Sequence, residues 1–167
     1  MTPLVHWLRN LGHYLWGKRS ELKEMSEADL LLAKVVLDIH RKRSSSTFSL
    51  VPLFELRQIH PLNRENSRQA TARRVAVLQK HKDDLRTRRL LERDLLQQVL
   101  PSVSGIKVVR APDQTWIAFE GNGRLAALQA VFTPGDAMEI EVEEYHFADS
   151  AKIIKRINRV RALHQLL

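Results

Sequence analysis

The chain has 167 residues, of which 44% are apolar and 28% charged, with no cysteine and a formal net charge of +8. This suits one ordinary domain, or a domain with an appended helical segment, and argues against disorder and against a disulfide-stapled scaffold. No apolar run approaches the roughly 18 residues of a membrane span, and the absence of thiols excludes thiolate metal sites and fits a cytoplasmic protein. The early apolar residues are interrupted by His6, Arg9 and Asn10, so no signal peptide is expected. The positive charge is uneven: residues 1–100 carry 19 Lys/Arg against 11 Asp/Glu, whereas residues 101–167 carry 8 of each. That asymmetry suggests a polyanionic partner, DNA or an acidic membrane surface, for the first part of the chain.

In chain order, Leu4, Trp7, Leu8, Leu11, Tyr14 and Leu15 recur at helical spacing beside Arg9, Lys18 and Arg19. This helix over residues 3–18 suits packing against its own domain or a partner subunit, and alternatively a membrane surface. His6 and His13 share its spacing but lack a third ligand, and no metal site is expected. Ser26 caps a second helix, with Asp29 in its acidic first turn. The helix ends at Arg41-Lys42-Arg43, and the serines after it read as a linker. The expected division is therefore a helical N-terminal extension with linker over residues 1–47, then a domain over residues 48–167.

A strand is expected over residues 50–56, followed by a polar loop carrying His60, Arg64, Glu65 and Arg68. Residues 67–99 read as helical, with a break expected where charges change sign between Lys80 and Arg89. Residues 63–94 hold 10 Lys/Arg against 5 Asp/Glu, a basic surface without a recognisable helix-turn-helix. Pro101 ends the helical region. A hairpin is expected next, from Gly105 to Arg110 and from Thr115 to Phe119, turning at Ala111-Pro112-Asp113-Gln114. Its second strand runs into Glu120-Gly121-Asn122-Gly123-Arg124 and an Ala/Leu-rich helix. Glycines let backbone N–H groups converge, a helix start adds partial positive charge, and Arg124 offers a planar fork of donors, so the arrangement suits a phosphate. Glu120 is a candidate magnesium ligand, ribose partner or brace for the loop. Residues 138–143 alternate apolar with acidic, a half-buried strand with an acidic outer row, and Asp149-Ser150 caps a last helix whose apolar face runs through Ile153, Ile154, Ile157, Val160 and Leu167. That helix suits core packing, or pairing with a second copy in a homodimer.

Two families contain a string of this kind. Glu-Gly-Asn-Gly-Arg is similar to the core of the Fic AMP-transferase motif, but Trp116 stands where that motif needs its catalytic His and Ala127 where it needs a second Arg. The order of elements resembles the ParB/sulfiredoxin superfamily over residues 48–147. The matching features are an extended opening from Val51 to Pro61, a helical region, a hairpin ending in a Gly-x-x-Arg loop (Gly121 and Arg124), an Ala-rich helix and a further strand. The resemblance implies an α+β fold with a small mixed sheet. It also implies a loop of Gly121, Asn122, Gly123 and Arg124 that holds the phosphates of ATP or CTP with magnesium, assisted by Arg64 or Arg68. Where sulfiredoxins carry Cys-His this chain has Asn122-Gly123, so chemistry through a protein thiol is excluded. An acid from the N-terminal half serves as base in the superfamily's free-serine kinase branch, which nominates Glu55, with Glu65 and His60 beside it and Glu120 as a further catalytic candidate. DNA association through the basic helices, and a membrane-surface or protein-interaction role for residues 3–18, are the alternatives.

Overall fold

The computed structural model describes residues 26–167; the expectations for residues 3–18 lie outside them. The elements in order are α1 (Glu27–Lys42), β1 (Ser45–Pro52), a 3-10 turn (Leu53–Glu55), β2 (Leu56–Gln58), α2 (Glu65–Arg88), β3 (Leu90–Leu91), α3 (Arg93–Val99), β4 (Lys107–Arg110), β5 (Trp116–Glu120), α4 (Asn122–Val131), a second 3-10 turn (Pro134–Asp136), β6 (Glu139–His146) and α5 (Ser150–Leu163). The fold is mixed α+β, as the sequence implies.

The six strands form one mixed sheet in the order β1-β6-β4-β5-β2, with β3 also paired to β6. β6 runs antiparallel to β1 but parallel to β3 and β4, and β5 runs antiparallel to β4 but parallel to β2. Alternation along the strands supplies two cores. On one face Val51, Val108, Ala118, Ile140 and Val142 pack with Leu78 and Leu85 of α2, Leu96 of α3, and Leu125 and Leu128 of α4. On the other, Val109, Ile117, Phe119 and Tyr145 pack with Val35 and Ile39 of α1 and Ile153, Ile157 and Val160 of α5. Asp38 of α1 ties the second layer together by pairing with Arg156 of α5.

The caps follow the sequence: Ser26 Oγ accepts from the Asp29 N–H at 3.2 Å, and an Asp149 carboxylate oxygen accepts from the Lys152 N–H at 3.0 Å. Four local expectations are corrected. The serine run is not a linker; β1 begins at Ser45, and Ser45, Ser46 and Thr47 pair with His146, Tyr145 and Glu144. These side chains are exposed, so the edge strand needs only their backbone groups. The strand expected over residues 50–56 ends instead at Pro52, and a 3-10 turn separates it from β2. The expected break among residues 80–89 is absent: α2 is continuous to Arg88, and the chain turns at Arg89, whose φ is 56°. Leu90 and Leu91, which look helical by spacing, form β3 against Glu139 and Ile140. A charged helix face is satisfied by water, so a change of charge sign imposes no break.

The acidic row of β6 is anchored as well as solvated. Glu141 accepts from the Arg93 N–H at 2.8 Å, holding the start of α3, and Glu143 lies 3.7 Å from Arg43.

Candidate anion-binding site at the start of α4

Residue types and backbone geometry converge at the junction of β5 and α4. Gly121 caps the helix with φ 81°, in the left-handed region. A Cβ there would lie 2.8 Å from Ile106 Cγ1 and 3.0 Å from Ile106 Cα, so conformation and space both demand glycine. The Arg124 and Leu125 N–H groups both donate to the Gly121 carbonyl at 3.0 Å. Those of Asn122 and Gly123, at the first turn, have no carbonyl behind them in the helix.

Around this start lies a cleft of about 490 Å³ bounded by Gly121, Asn122, Gly123 and Arg124, by Phe119 and Glu120 of β5, by His60, Leu62 and Ser102, and by Asn66, Ser67, Ala70 and Arg74 on one side of α2. Gly123 permits α2 to come close: a Cβ at that position would stand 2.8 Å from Arg74 Nη1. The Arg74 guanidinium therefore lies against the first turn of α4.

Arg124 is in the cleft wall but only 2% exposed. One arm of its guanidinium donates to the Ser104 carbonyl, and its Nε is buried without a hydrogen-bond partner. Burial and the like charge of Arg74 push its pKa down. Asn122 is also buried, with its Oδ1 unpartnered. Two guanidinium groups and a helix start thus meet where no carboxylate lies within ion-pair distance of either arginine among the described residues. A buried cation left in this state is costly, and the geometry suits an anion.

Glu120 occupies the edge of the cleft. β5 carries one extra residue opposite β4, so that Lys107 faces Glu120 while Val108 faces Ala118. This bulge turns the carboxylate onto the α1 side of the sheet. One oxygen lies 2.6 Å from His40 Nε2 and the other 2.7 Å from Lys107 Nζ. Burial works to raise its pKa, but the hydrogen bonds and charges of His40 and Lys107 outweigh it and hold the carboxyl at about 2. The same contact raises Lys107, against the opposing effect of burial. A carboxylate held so low is a weak proton acceptor, and both its oxygens are engaged. Its partners tie β5 to α1 and β4 and are not the N–H groups of the glycine loop.

The structure also sorts the remaining nominees. Glu55 is exposed on the 3-10 turn and does not border the cleft. Glu65 is exposed at the start of α2, paired with Arg68 at 3.0 Å and accepting from Gln69 at 2.9 Å. Arg64 pairs with Asp29 at 2.9 Å, joining α2 to α1, and neither it nor Arg68 borders the cleft. His60 does. Its Nδ1–H donates to the Pro61 carbonyl at 2.9 Å, which leaves Nε2 as the acceptor, and burial lowers its pKa. Arg74 was not among the sequence nominees, although Asn66, Ser67, Ala70 and Arg74 share one helical side. Their small, polar character gives no apolar stripe, and the close approach across Gly123 appears only in three dimensions.

No group of three or more His, Asp or Glu side chains placed to hold a metal ion occurs among the described residues, nor is any helix there long and apolar enough to cross a membrane. No family model, curated protein or solved structure matches the chain.

Proposed function

We propose that the cleft at the start of α4 binds the phosphates of a nucleotide such as ATP or CTP, in a protein related to the ParB/sulfiredoxin superfamily. The observation that carries this reading is the buried Arg124, its Nε unpartnered, beside Arg74 and the free N–H groups of a helix start. Each charge-assisted hydrogen bond to a phosphate oxygen contributes about 1.5–3 kcal/mol. A volume of about 490 Å³ falls within the range of small-ligand sites. Asn122 Oδ1 supplies an acceptor for a donor on the ligand. Magnesium, with no protein carboxylate open to it here, would be carried by the phosphate oxygens themselves.

Phosphoryl transfer to water or to a small hydroxyl acceptor is the reaction class that fits, with His60 rather than Glu55, Glu65 or Glu120 as the proton acceptor. His60 is the nominee that both borders the cleft and offers a neutral ring nitrogen. The test is nucleotide binding by wild type and Arg74→Ala. Arg74 is the cleaner target than Arg124, whose hydrogen bond to Ser104 also holds the loop before β4.

A second reading is favoured by one observation: α2 is an uninterrupted helix of 24 residues on which Arg73, Lys80 and Arg88 are exposed. Spanning about 36 Å, this face suits a non-specific polyanion such as DNA. Binding there should weaken steeply with salt and be indifferent to Arg74→Ala.

A further inference from the structure

A second pocket, of about 550 Å³, lies on the other side of Leu62, which borders both cavities. Four elements supply its polar groups: Arg57 from β2, Thr71 from α2, Gln129 from α4 and Arg161 from α5. Arg161 is 7% exposed. Its Nη2 donates to the Leu166 carbonyl at 3.0 Å, while its Nε is buried with no hydrogen-bond partner. Thr71 Oγ1 is likewise buried and unpartnered. Gln129 is fixed by donating to the Leu53 and Leu56 carbonyls at 3.1 and 2.9 Å, so only its oxygen remains as an acceptor.

The charges around this pocket do not balance. Arg68 borders it but is paired with Glu65. Arg57 and Arg161 have no carboxylate within 4 Å among the described residues. Asp113 acts on both only from farther away, and its own carboxylate is engaged by Thr115 at 2.7 and 3.2 Å. Burial, and then the like charge of Arg57, lower the pKa of Arg161. A guanidinium does not escape by deprotonating, so burying it without a counter-charge is unfavourable until an anion arrives. Leu62 and Leu166 give the pocket an apolar side.

We propose that this pocket binds a small organic anion, its oxyanion group held by Arg57, Arg161 Nε and the Thr71 hydroxyl and its apolar body against Leu62 and Leu166. The site stands without the nucleotide reading. If both are filled, the anion lies next to the nucleotide, where an acceptor substrate would be placed.

The test follows the Nε–Hε resonance of Arg161, identified by its loss in Arg161→Lys, while pentanoate, butyl phosphate, inorganic phosphate or 1-butanol is added to the full chain. Pentanoate or butyl phosphate should produce a saturable shift, and whichever binds more tightly identifies carboxylate or phosphate as the preferred group. Butanol should produce none. Arg57→Ala, at an exposed position that the fold does not need, should weaken binding at least tenfold, whereas Arg74→Ala should leave it unchanged. A linear drift matched by the exposed Arg159, or equal binding by wild type and Arg57→Ala, would overturn the assignment. Inorganic phosphate binding as tightly as butyl phosphate would overturn its apolar half. Loss of nucleotide binding in Arg74→Ala with retention of the Arg161 shift separates the two sites.

Discussion

Replacing Glu120 by Gln keeps the shape of the side chain but removes the charge that His40 and Lys107 share. The wild-type carboxyl is held at about 2 against an ordinary value of 4.5. At roughly 1.4 kcal/mol per pH unit that gap corresponds to about 3 kcal/mol, and with 17% of the side chain exposed to water screening reduces it toward about 2 kcal/mol. The sign follows from the depressed folded-state value. The stabilisation is fully present above pH 4.5 and is lost as pH falls through about 2. Urea denaturation of both proteins at intervals from pH 2 to 7 measures this directly. Taking the difference between them removes the acid destabilisation common to a chain of net charge +8. Wild type should exceed Glu120→Gln by about 2 kcal/mol at neutral pH, and the two should converge toward pH 2. A difference that stays constant across the range would refute the charge account and leave only a loss of packing.

Two glycines in the loop should separate stability from binding. Gly121→Ala places a side chain at φ 81° and against Ile106, costing about 1–2 kcal/mol for the backbone and a similar further amount for overlap; thermal unfolding should show a marked drop in melting temperature. Gly123→Ala makes one close contact, with the far end of the Arg74 side chain at 2.8 Å, which can swing aside, while Thr71 Oγ1 lies at an ordinary 3.7 Å. Its melting temperature should hold or rise slightly, since alanine favours the helix, while phosphate affinity measured by calorimetry falls several-fold as Arg74 is displaced. An undiminished affinity would remove Arg74 from the binding surface.

The parts of the fold that rest on local rules were legible in the sequence. Ser26 and Asp149 announced their helices, and the turn at Ala111 to Gln114 announced the hairpin of β4 and β5. Gly121 marked a backbone position that an L side chain strains to adopt. Two of the failures depended on partners distant in sequence. Ser45 and Ser46 have loop chemistry but form a strand because β6 supplies hydrogen-bond partners about 100 residues away. Leu90 and Leu91 have helical spacing but satisfy a gap beside β6. The site divides the same way. Gly121 through Arg124 were found from the strand–glycine–helix order. Arg74 and Arg161 carried no local signal, because a basic residue on a helix is most often solvated. Arg74 is placed at the cleft by Gly123 admitting α2, and Arg161 is buried by residues 164–167 folding back over α5, where the Leu166 N–H donates to the Arg161 carbonyl at 2.9 Å.

The most direct measurement is calorimetric titration of ATP, CTP, GTP and ADP with magnesium into wild type and Arg74→Ala at moderate salt. One nucleotide should bind wild type saturably. The variant, folded by the same melting criterion, should bind it roughly 10- to 150-fold more weakly, the loss of one charge-assisted contact worth about 1.5–3 kcal/mol. No binding by any nucleotide, or equal binding by both proteins, would contradict a phosphate site at the start of α4.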